Sequence, residues 1–104
     1  MSQHVLQTKL ADVPVEILLG WDRRLSYFFM VIERASNDGD EEPIYSNLNE
    51  QEPFKKSLTF YRLVLERLGV AVPEALWLQV ACDRDLNVGN RFVIWQADGR
   101  FDEK

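Results

Sequence analysis

The chain of 104 residues suits one domain, and a domain of that size buries roughly 60 to 70% of the surface its unfolded form exposes. Its 46% hydrophobic and 28% charged content excludes a disordered chain, and its one cysteine, Cys82, excludes an internal disulfide. The net charge of −5 is local: Asp38, Asp40, Glu41, Glu42, Glu50 and Glu52 lie together with no base between them, and setting these aside leaves 11 acids against 12 bases.

The first twenty residues carry Gln3, His4, Gln7, Lys9, Asp12 and Glu16, so they lack the apolar core of a secretory leader, and no apolar run approaches the ~20 residues of a membrane span. A cytoplasmic protein without membrane contact is expected. Basic residues occur in ones and twos, as in Arg23 with Arg24 and Lys55 with Lys56, and no basic stripe with interleaved aromatics signals nucleic-acid binding.

Val5 to Leu10 reads as a first strand, Ala11 to Pro14 as a turn and Val15 to Trp21 as a second strand, with room for a bulge at Gly20. The run Tyr27-Phe28-Phe29-Met30-Val31-Ile32 has no polar alternation. It is expected to be the central strand, and it needs cover on both faces. Ala35 to Glu42 is a polar loop, and Pro43 to Ser46 reads as a short fourth strand.

A helix is predicted from Pro53 to Leu68, with Asn49 and Glu52 as a capping box and Gly69 in the left-handed position after the end. Phe54, Leu58, Tyr61, Leu65 and Leu68 share its inner face, and Arg62 and Glu66 form an i, i+4 pair outside. Pro73 to Asn87 reads as a second helix, with a strand at Leu76 to Val80 as the competing reading; Asn87 to Asn90 closes it, with Gly89 available for positive φ. Arg91 to Gln96 is the last strand, and residues 1–3 and 100–104 are expected to fray. The order β-β-β-(β)-α-α-β implies an α+β fold, a mainly antiparallel sheet of four to five strands with one or two helices on one face.

His4 and Cys82 are each the only one of their kind, so a His or Cys metal site is excluded. His4 is expected to be an exposed terminal residue and Cys82 a small buried hydrophobe. The five glycines are scattered singly, so no phosphate-cradling loop exists, and no cofactor is expected. Two of the tryptophans Trp21, Trp77 and Trp95 are expected in the core and a third at the surface.

Two polar turns stand out as a candidate anion-binding or weakly enzymatic site: Trp21, Asp22 and Arg23 in one, Asn87, Asn90 and Arg91 in the other. Turn and cap chemistry alone also explains those residue types. The leading expectation is a non-enzymatic interaction module that docks on another protein through Asp38, Asp40, Glu41 and Glu42 or through a sheet edge. An acidic inhibitor that binds a basic surface and a homodimer joined at an edge strand are the alternatives.

Overall fold

A computed structural model describes residues 1–36 and 42–104. Within them nine short elements follow one another: β1 (Ser2–Leu10), β2 (Val13–Asp22), β3 (Tyr27–Arg34), β4 (Tyr45–Ser46), a 3₁₀ turn (Asn47–Asn49), α1 (Leu58–Leu68), α2 (Glu74–Asp85), β5 (Arg91–Gln96) and β6 (Phe101–Glu103). The strands form one sheet in the order β4-β3-β2-β1-β5-β6. All neighbours are antiparallel except β1 and β5, which run parallel. A parallel pair needs a long crossover, and the two helices supply it. The fold is α+β as expected, with six strands instead of four to five.

The β1–β2 hairpin turns through Ala11 and Asp12, at φ 49° and 69°. Two positive values in a two-residue loop match the right-handed twist of the flanking strands. Gly20 pairs in register with Phe29 on the β3 side, while the β1 ladder ends one residue before it, at Leu19. A side chain at Gly20 would overlap the Ser2 carbonyl oxygen and the Phe29 ring.

Strand period places Leu6, Ile17, Leu19, Met30, Ile32, Val93 and Trp95 on one face of the sheet, all at most 2% exposed. Tyr61 and Leu65 from α1 and Leu76, Trp77 and Val80 from α2 complete the core against that face. The Tyr61 hydroxyl donates to the Phe28 carbonyl oxygen at 3.1 Å, fixing α1 over β3. An exposed Arg62–Glu74 ion pair joins α1 to the start of α2 and takes Arg62 over from the weaker Glu66 contact at 3.9 Å.

Several expectations are corrected. The apolar run of β3 is one strand from the sheet edge, because the β1–β5 pairing makes β1 and β2 central. The first helix begins at Leu58, where the Ser57 hydroxyl accepts from the Phe60 amide at 3.2 Å; residues 50–57 stay outside it. Asn47 accounts for that by accepting from the Met30 amide at 3.4 Å and donating to the Pro53 carbonyl oxygen at 3.3 Å, which holds the segment against β3. Both ends of the chain, where fraying is expected from sequence, enter the sheet: Ser2 is buried and pairs with Arg91, and Phe101 to Glu103 pair with β5. All three tryptophans are buried, and Cys82 is exposed.

Candidate functional site

The two polar turns do meet. Asn87 adopts φ 50° just after α2, where it serves as the left-handed residue in place of Gly89, and its side-chain oxygen accepts from the Trp21 indole at 3.3 Å. Arg23 lies over Gly89, with its Nη1 3.1 Å from where a side chain at that glycine would begin. Arg23 stays exposed, while Asp22, Asn87, Asn90 and Arg91 are engaged within the fold. Asp22 Oδ1 accepts from the Arg24 and Leu25 amides at 3.0 and 3.1 Å, a turn-forming role. Asn90 accepts from the terminal amine of Met1. Arg91 donates to Asp83 at 2.7 Å, Gln79 at 2.8 Å and Glu103 at 2.9 Å, so its guanidinium is committed inside the molecule.

Behind Arg91 lies a buried polar network that no sequence motif announces. His4, with no exposed surface, places Nε2 2.6 Å from Asp83 Oδ2, and its Nδ1 accepts from the Trp95 indole at 3.0 Å. An indole N–H can only donate, so Nδ1 carries no proton and Nε2–H is the tautomer that points at Asp83. The Ser2 hydroxyl adds a bond to Asp83 and accepts from the Trp21 amide at 3.1 Å. Burial opposes ionisation of Asp83, but the bonds from His4, Arg91 and Ser2 outweigh it and hold the carboxyl below its ordinary value. The network welds α2 to β1 and β5. The expectation of an exposed His4 fails because Ser2 and His4 continue the inward phase of Leu6.

Although Ser2, His4 and Asp83 are the residue types of a hydrolase triad, the connectivity differs. The serine bonds the aspartate, the imidazole is filled on both nitrogens, and all three are at most 1% exposed. A nucleophile needs its base at its own hydroxyl and room for substrate. Exposed Cys82 has no imidazole to activate it, since the chain's one histidine is sealed in this network. No group of three or more His, Cys, Asp or Glu side chains among the described residues is arranged to hold a metal ion.

The opposite face of the sheet is built differently. Register aligns Ile94, Val5, Leu18 and Val31 in one row across β5, β1, β2 and β3. At the strand spacing of ~4.8 Å this apolar row is about 14 Å long. All four are half-buried by their neighbours in the sheet, and both helices pack on the other side. Phe54 reaches only the β3 end, with its ring 4.7 Å from Tyr27. One flank of the row carries Gln96, Gln7, Glu16 and Glu33 in register, and the other carries Phe92 and Gln3. A pocket of about 200 Å³ opens between them over Val5, Leu18 and Val31.

A broader hollow of about 630 Å³ lies at the far strand ends, bordered by Lys9, Glu16, Asp98 and Arg100. On the outer side of α2, Leu78, Cys82 and Leu86 follow at i, i+4 and i+8, with Leu78 60% and Leu86 77% exposed. Among the partner-contact residues expected from sequence, Asp38, Asp40 and Glu41 lie outside the described residues, while Glu42 is exposed. No helix among the described residues is long and apolar enough to cross a membrane. In comparisons with known proteins, no family model, curated protein or solved structure matches the chain.

Proposed function

We propose that the protein is a non-enzymatic interaction module that docks a polypeptide partner on the open face of its sheet. The observation that carries this reading is the four-strand row Ile94, Val5, Leu18 and Val31, apolar and without a covering layer among the described residues. An antiparallel sheet with a merely solvated face alternates to polar residues there, and a contiguous apolar patch rimmed by polar groups marks a contact surface. Sheet edges serve this role less well: β4 has 2 residues, and β6 has 3 and carries Asp102 and Glu103. Asp22, Asn87, Asn90 and Arg91 already have partners within the fold, which favours a protein-binding role over a ligand site built from these turns.

Selection of a displayed random peptide library on the native chain, with counter-selection on a Leu18→Lys variant, tests the proposal. Enriched peptides should bind the native chain and fail on the variant. Equal binding to both chains contradicts it. Self-association is a second reading, favoured by the exposed Leu78, Cys82 and Leu86 stripe, where another copy could pack. Sedimentation velocity that shows a strict monomer at high concentration removes it.

A further inference from the structure

We infer that the occupant of the open face is a protein segment that sets an arginine against Glu16 and Glu33, with apolar residues on either side of it. The inference rests on the reading of the open face as a docking surface. Glu16 and Glu33 are direct cross-strand partners on that face, and both are exposed. Like charges placed opposite one another destabilise a sheet, so a fold has no use for this pair on its own account. No described cation comes within ion-pair distance of either carboxylate. Lys9 stands diagonally, two residues beyond Gln7, the β1 partner of Glu16, and Arg34 belongs to the opposite face by strand alternation.

The two carboxylates rim the pocket whose floor is Val5, Leu18 and Val31. An arginine meets both halves of that environment. Its aliphatic stem covers apolar surface, and its planar fork of five N–H donors reaches two acceptors at once, which a lysine ammonium does less well. The apolar row extends about 14 Å, more than one side chain fills, so the arginine comes with apolar neighbours. Negative charge at the rim disfavours nucleic acid and anionic lipid, and favours a basic protein segment.

The test uses the intact ¹⁵N-labelled chain and two probe peptides, acetyl-Leu-Arg-Leu-amide and the same peptide with citrulline, which keeps the shape of arginine without its charge. Amide shifts are followed by NMR up to millimolar peptide. The arginine peptide should move Glu16, Leu18, Val31 and Glu33 and leave Leu78 and Leu86 in place. The citrulline peptide, and the arginine peptide on a Glu16→Gln/Glu33→Gln chain, should bind about fivefold more weakly. Equal affinity of both peptides for both chains overturns the arginine assignment while leaving the docking face standing. Absence of shifts on the open face with either peptide overturns both readings. A concentration-dependent dimer that buries this face and is lost in Leu18→Lys overturns the assignment in favour of a second copy.

Discussion

With His4 on one carboxylate oxygen and Arg91 on the other, Asp83 joins three elements through one side chain that is 1% exposed. Removing its charge leaves buried donors without their acceptor, so Asp83→Asn should lose about 3–5 kcal/mol in urea unfolding. The same residue sets a pH dependence. Because its carboxyl sits below the ordinary value of about 3.9, its stabilising contribution is complete above that pH and disappears as pH falls through the lower folded-state value. Native stability should decline below about pH 4, and the Asn variant should decline less over that window. Glu16 and Glu33 make the opposite case: Glu16→Gln/Glu33→Gln should raise Tm by about 1–3 °C by relieving like-charge repulsion. A fall in Tm would show that the pair has a partner within the fold. Spacing makes part of this legible, since Ser2 and His4 alternate in phase with Leu6, and Asp83 follows Leu76 and Val80 on one helix face. Residue type conceals it, because a lone histidine near a terminus and an aspartate near a helix end both have ordinary exposed roles.

Sequence reading starts α1 at Pro53, and the structure starts it later, at Leu58 behind Ser57. Ser57→Ala should therefore cost about 1 kcal/mol, while Asn49→Ala should leave helix content by circular dichroism unchanged, because Asn49 ends a 3₁₀ turn and caps nothing in α1. The Asn49–Glu52 pair and Pro53 form a convincing local signal, but the Asn47 bond to Pro53 is tertiary and no local pattern contains it. The far end of α1 is more legible: Gly69 takes φ 78° there as expected. For α2, helix prevails over strand, and its weak amphipathicity reflects Leu78 and Leu86 facing outward while Leu76 and Val80 face in. The parallel β1–β5 pairing leaves no local trace because it joins residues about ninety positions apart, and it is what moves β3 off the centre of the sheet and ties down both termini.

At the scale of the whole molecule, one face of the sheet is complete and the other is not. The apolar run of β3 calls for two covers. The helices supply one, and on the other face the run continues into its neighbours as the row Ile94, Val5, Leu18 and Val31. The two polar turns with the composition of a site converge as a ligand site would require, yet they converge to close the end of the sheet: Trp21 with Asn87, Arg23 over Gly89, Arg91 with Asp83. The proposed docking surface accordingly lies on the open face and not at the strand ends. The measurement that bears most directly on this is the affinity of one peptide, selected on the native chain, for three chains by isothermal titration: native, Leu18→Lys and Leu78→Lys, each confirmed as folded by circular dichroism. Docking on the open face predicts a loss of at least about tenfold for Leu18→Lys and no change for Leu78→Lys. Unchanged affinity at Leu18→Lys with loss at Leu78→Lys would contradict it and place the contact on the outer side of α2.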